Sequence, residues 1–206
     1  MKMKKLKDAI TIIGEGITEF YYFNSVKDEY KQLNLKPSYP KHSTSLIDLE
    51  YEIEKAVDRE YSKIFCVIDM DNKKDGAEKK AYEDLKQRFE GKHFIKRTNF
   101  NYEIRFIETE RCTELFFLFY FAYTSKLFYS QSDLLKELNK YCRYEKNESF
   151  FKTHSLHQYF QKQGGDFMAA LGNAAKSMKE KEAGRDYTYS QMKELFDALH
   201  ISHRNG

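Results

Sequence analysis

The sequence predicts an α/β fold: a parallel sheet flanked by helices, with a helical C-terminal part. Three observations carry that prediction. Short apolar runs alternate with segments of helical period as far as Tyr123. Beyond Tyr123 the strand signals fade and helical periods remain. A hydrophobic share of 41% and an aromatic share of 16% in 206 residues supply a packed core, which argues against disorder despite 33% charged residues. On this reading residues 1–124 form an α/β domain and residues 125–206 a helical extension packing on the same core.

Each element has its own signal. Ala9 to Ile13 is an apolar run closed by Gly14 and Gly16, a buried strand delivered into a tight turn. Phe20, Phe23, Val26 and Tyr30 then recur at helical spacing within Ile17 to Leu33. Pro37 and Pro40 bracket a short extended piece, and Leu46, Leu49, Ile53, Ala56 and Val57 line one face of a helix that Ser43, Thr44 or Ser45 would cap. Ile64 to Ile68 is continuously apolar, the pattern of a strand covered on both faces, and ends in Asp69-Met70-Asp71.

Ala77, Ala81, Leu85 and Phe89, four apart, predict a charged amphipathic helix from about Gly76 to Phe89. His93 to Lys96 offers a short strand, and Tyr102 to Ile107 alternates as a half-buried one. The stretch Thr113 to Tyr123 is aromatic nearly all round, which marks a core helix rather than a base-stacking platform. Ser132–Tyr141, Ser149–Gln161, Asp166–Glu182 and Ser190–Leu199 are helical in period, with Gly164-Gly165 and Gly184 between them.

Several function classes drop out. A formal charge of +3 does not by itself argue for a nucleic-acid binder. Cys66, Cys112 and Cys142 stand far apart without a CxxC pair, which excludes a zinc ribbon and a disulfide framework and suits a reducing cytoplasm. The basic Lys2–Lys7 run reads as a solvated tail, the apolar run behind it is too short for a signal peptide, and no segment approaches the ~18 apolar residues of a membrane span. No membrane partner is therefore expected.

In an open parallel sheet, ligands bind outside the carboxyl ends of the strands. Glu15 follows the first strand there, and Asp69 and Asp71 follow the central one, on one side of the chain if it is still extended. Clustered carboxylates need a compensating cation to stay ionised. Oxygen-only donors favour Mg²⁺ or Mn²⁺ over zinc, and such an ion would neutralise a phosphodiester and activate water. Each acid also admits a plainer role: aspartates favour turns, and Glu15, Glu19 and Glu114 suit helix N-termini. His154 and His157, three apart, would share one helix face, and Lys73, Lys74, Lys79 and Lys80 would either gather a polyanion or merely solvate a surface.

Taken together, Ile12 to Glu19 (IIGEGITE), the aromatic Tyr21-Tyr22-Phe23 and the later Val67-Ile68-Asp69-Met70-Asp71 resemble the TOPRIM domain shared by topoisomerases, primases and OLD-type nucleases. Within it the RloB-like proteins are most similar, with an EGxTE-type turn, a DxD strand and a Cys-Phe-Glu-Leu-Trp-Leu-Leu-like helix, whose place Cys112 to Leu118 fills here. Thr113 and Phe116 depart from that pattern where it has Phe and Trp, as does Ile107-Glu108-Thr109-Glu110 from the usual Ser-Asn-Pro approach. The Asn173–Lys176 stretch and the helix over Thr188–Leu199 are similar to the family's C-terminal segment.

The resemblance implies a TOPRIM-like sheet, Glu15 as a general acid/base or metal-binding glutamate, and Asp69 and Asp71 as metal-holding aspartates. Glu19 would support them and Glu114 add a further carboxylate. The implied activity is Mg²⁺-dependent hydrolysis of phosphodiester bonds in DNA or RNA, in anti-phage defence. A primase would bring a zinc-binding segment and a topoisomerase a larger body. The competing reading is a non-catalytic nucleotide or nucleic-acid binding subunit of a larger defence complex, cleavage being left to a second defence-system protein. A homodimer through the aromatic C-terminal part is a further expectation.

Overall fold

The computed structural model describes residues 9–40, 45–184 and 188–201. The Lys2–Lys7 run and the capping candidates Ser43 and Thr44 lie outside the described residues.

The chain runs through β1 (Ile10–Ile13), α1 (Ile17–Glu29), β2 (Leu35–Ser38), α2 (Leu46–Asp58), β3 (Lys63–Asp69), α3 (Gly76–Phe89), β4 (Gly91–Ile95) and β5 (Phe100–Thr109). It continues through α4 (Glu114–Phe119), α5 (Gln131–Leu138), α6 (Glu148–Thr153), α7 (Leu156–Lys162), α8 (Phe167–Glu182) and α9 (Met192–Ala198). The sheet order is β2-β1-β3-β5-β4, parallel except for β4, which pairs antiparallel with β5. The α/β architecture with helices on both faces and helices at the C-terminal end is thus the observed one. The all-parallel expectation yields at β4, where the short turn before Phe100 leaves no room for a crossover helix. Pro37, which cannot donate to a ladder, sits in the edge strand β2.

Strand alternation sends side chains to two cores. Ile64, Cys66 and Ile68 join Ile104, Phe106, Leu49, Ile53 and Leu85 under α2 and α3. Phe65, Val67 and Ile107 face the larger core with Phe23 of α1, Phe116 to Phe119 of α4, Phe160, Leu171 and Phe196. Every residue of α4 is buried, so the aromatic stretch is core, as its composition predicts. It ends sooner than its apolar run because Phe119 O accepts from Asn173 Nδ2 and Tyr120 O from the Asp166 amide, bonds that divert carbonyls from a continuing helix.

The expected helix over Ser149–Gln161 is two helices. His154 is extended and its ring folds back onto Phe150 O at 2.9 Å, so the chain breaks there. His154 and His157 therefore lie on different elements, His154 stacked on Phe150 and His157 fully buried against Tyr120, and the shared helix face expected of them is not formed. Ser45 caps α2, accepting from the Asp48 amide. Among the described residues, no helix is long and apolar enough to cross a membrane.

Candidate active site at the carboxyl edge of the sheet

β1, β3 and β5 are adjacent and parallel, so their carboxyl ends open on one edge of the sheet. Ile13, the last residue of β1, pairs with Cys66, and β3 continues past it to Asp69. The turn Gly14-Glu15-Gly16 fills the step this leaves. Gly14 is required there by close approach: a Cβ at this position would lie 2.2 Å from the Glu19 Cβ. Glu19 in turn accepts the Gly16 amide at 2.9 Å, satisfying an otherwise orphaned donor at the start of α1.

The acids named from sequence fall into two groups. The inner one holds Glu19 and Glu114, both buried, and the half-buried Asp69. Asp69 Oδ1 accepts both the Thr113 amide (2.8 Å) and the Thr113 hydroxyl (3.1 Å). Glu114 Oε1 accepts from the Tyr144 hydroxyl at 3.0 Å and from Thr18 at 3.5 Å, and lies 3.0 Å from Lys146 Nζ. The outer group is Glu15 and Asp71 with Lys73, which line a cleft of about 710 Å³ together with Ser45, Ile47 and Glu78.

The two aspartates do not share one side of an extended chain. β3 ends at Asp69, and Asp71 stands in the turn that follows, so Asp69 is directed inward to α4 while Asp71 lines the open cleft. Fields still connect the groups: the Glu15 carboxylate raises Asp69, and Asp71 raises Glu15.

Burial sets the electrostatics. It lifts Asp69 well above the ordinary aspartate range, helped by the carboxylates of Glu19, Glu15 and Glu114. Burial and Glu114 together push Glu19 up to about 7. Glu15 is raised by burial against the pull of Lys73. The relieving charges are two lysines. Lys73, only 7% exposed, donates to Asp69 O at 2.9 Å and lies 2.8 Å from Glu15 Oε1. Burial lowers Lys146, but Glu114, Asp69 and Glu19 outweigh it and hold its ammonium firmly charged.

An all-oxygen donor set with carboxylates driven toward protonation has the chemistry of a hard divalent-ion site. Among the described residues, however, no three such side chains stand grouped as a ready metal cage, and Lys73 and Lys146 sit against Glu15 and Glu114.

Sequence reasoning missed Thr113, Tyr144, Lys146 and the burial of Lys73. Thr113 was visible only as a departure from a family pattern, and it is this residue that anchors Asp69. Lys146 and Tyr144, in the segment between α5 and α6, carry no periodic or motif signal. Burial pushes all three cysteine thiols up, Cys142 to about 11, which keeps them protonated and unreactive at neutral pH.

The family model described as RloB-like protein matches residues 10–199, a span that takes in every acid named above. No curated protein matches this chain. No solved structure does either.

Proposed function

The chain belongs to the RloB-like family, and from that premise we propose that it is a metal-dependent phosphodiester hydrolase of TOPRIM type, a nuclease acting on DNA or RNA in anti-phage defence in the cytoplasm. The observation that carries the reading is the placing of Glu15 and Asp71 in an open cleft at the carboxyl edge of the parallel strands, with Glu19, Asp69 and Glu114 grouped behind them.

On this reading Glu15 and Asp71 in the open cleft, with Asp69 reaching them from the inner group, would hold the ion, Mg²⁺ or Mn²⁺. Bound there, it would neutralise phosphate charge and lower the pKa of water. The chain's own residues do the rest. Thr113 fixes the Asp69 carboxylate with two bonds, and Glu19 locks the turn that carries Glu15. With the ion held by the aspartates alone, Glu15 would take the alternative role: its raised carboxyl retains a proton to higher pH than an ordinary glutamate, the state needed to protonate a leaving oxygen. Lys73, beside that carboxyl, steadies negative charge on the substrate phosphate.

The test is incubation of the purified chain with plasmid, single-stranded DNA and transfer RNA, each with Mg²⁺ and with chelator. Cleavage that needs Mg²⁺ and is lost in Asp69→Asn and in Asp71→Asn is the expected result. Equal cleavage in chelator refutes the mechanism. A second reading has its own observation: Glu15 and Glu114 already carry lysine counter-charges, which suits a subunit that binds nucleotide or nucleic acid and leaves cleavage to a partner. Turnover by the isolated chain excludes it.

A further inference from the structure

A second polar cleft, of about 490 Å³, lies against the other flank of α3, and Lys73 lines both it and the acidic cleft. Five lysines line it, Lys73, Lys74, Lys79, Lys86 and Lys181, against the glutamates Glu83, Glu108 and Glu110. The signs are layered. Glu108 and Glu110 are buried at the base of the cleft, whereas the side chains of Lys79, Lys74 and Lys181 are 50%, 43% and 39% exposed.

The buried acids fix the cations more than they cancel them at the mouth. Glu108 is held by the Tyr82 hydroxyl at 2.9 Å, the Tyr189 hydroxyl at 3.2 Å and Lys86 Nζ at 2.7 Å. Lys74 pairs with Glu110, and Lys181 rests over the Tyr189 ring at 3.2 Å. Lys181 and Lys79 are only loosely paired, 3.9 Å from Glu108 and 3.8 Å from Glu83, in contact with water that screens such pairs. Phosphate oxygens would exchange easily into those positions. Because the lysines span a turn and two helices and lead through Lys73 to Glu15 and Asp71, the arrangement suits a chain of phosphates better than one small anion.

We infer that this lysine cleft carries the phosphodiester backbone of the nucleic-acid strand whose reacting bond lies at the acidic cleft, an inference that rests on the hydrolase reading above. Contacts to backbone alone read no sequence, so binding through the cleft is tolerant of sequence.

The experiment is fluorescence anisotropy of a labelled single strand of about 20 nucleotides, as DNA and as RNA, titrated with the full chain in chelator over a salt series. Lys79→Gln with Lys181→Gln is compared with a control of equal charge change, Lys136→Gln with Lys162→Gln, on other exposed surfaces. Loss of two phosphate contacts is expected to weaken binding roughly tenfold or more at low salt and to shrink the log–log salt slope by about 1.5, with the control unchanged. Charge reversal, Lys79→Glu with Lys181→Glu, should deepen the loss.

No binding by the wild-type chain, or equal affinity and slope in wild type and the Lys79/Lys181 variant, overturns the inference. A wild-type chain that binds through these lysines and cuts nothing in Mg²⁺ upholds the cleft and removes the hydrolase reading, so the two failures are distinct.

Discussion

Replacing Glu19 by Gln isolates the electrostatic cost of the acidic edge. The amide keeps an oxygen that can accept the Gly16 N–H and removes only the charge. In the native state the Glu19 carboxyl titrates at about 7, against 4.5 when unperturbed. Between those values the folded protein binds the proton more tightly than the unfolded chain does. Stability therefore falls as pH rises through that window, and the loss is complete above the folded value. At ~1.4 kcal/mol per pH unit the full window amounts to roughly 3 kcal/mol, an upper figure because Asp69 shares the charge.

Urea denaturation in chelator from pH 5 to 8.5 should thus show wild type losing about 2 kcal/mol or more, and Glu19→Gln losing markedly less and exceeding wild type at pH 8. Mg²⁺ should restore wild type at pH 8 and flatten its pH dependence. Parallel pH profiles for the two proteins, or a less stable variant at pH 8, would refute the argument that Glu19 is ionised against its surroundings.

Gly14→Ala forces a Cβ to within 2.2 Å of the Glu19 Cβ, so a loss of about 2–3 kcal/mol in thermal or urea unfolding is expected, together with weaker Mg²⁺ stabilisation. Lys146→Met leaves the buried Glu114 without its cation and should cost about 3 kcal/mol in chelator; adding Glu114→Gln should recover most of it in the same melt. Tyr120→Phe removes the hydroxyl that bonds Tyr22 at 2.7 Å and His157 Nδ1 at 2.6 Å, a loss of about 1–3 kcal/mol by calorimetry. Glu108 is pushed up by burial, but its bonds to Lys86 and Tyr82 prevail and hold it below the usual glutamate range. Its contribution is present above pH ~4.5 and fades as pH falls through the lower folded value, so Glu108→Gln should flatten the acid limb of the stability curve.

What the sequence made legible was local. The apolar runs ending at Ile13 and Ile68 lie in buried parallel strands, where no alternation is needed, and the acids just past them lie at the carboxyl edge of the sheet. β4 was readable as a strand but not in its direction, since five residues encode no pairing partner. Asp71 was misplaced because the two-residue spacing means one face only while the strand lasts, and it stops at Asp69. The break at His154 depends on a ring folding back to Phe150 O, which helical period does not register. Lys146 and Tyr144 reach Glu114 across 32 and 30 positions, and such contacts are products of tertiary packing.

Those long-range contacts also say why the C-terminal helices belong to the site. Glu114 opens α4 in the fully buried layer beneath the acidic edge, where an unpaired carboxylate would cost several kcal/mol. Its neighbours come from either side of it along the chain: Thr18 from α1, Tyr144 and Lys146 from the segment between α5 and α6. The cation on the other side, Lys73, comes from the turn after β3. The inner acids thus face a cation from the C-terminal part, and Glu15 of the outer pair faces one from the sheet's own connection. A cation entering between them, as the proposed function requires, would compete with two lysines anchored on different elements. If the proposed metal binds there, its uptake and the seating of the C-terminal helices would be linked through Glu114, since a shift of its carboxylate toward an ion would loosen the tie that holds the Tyr144–Lys146 segment in place.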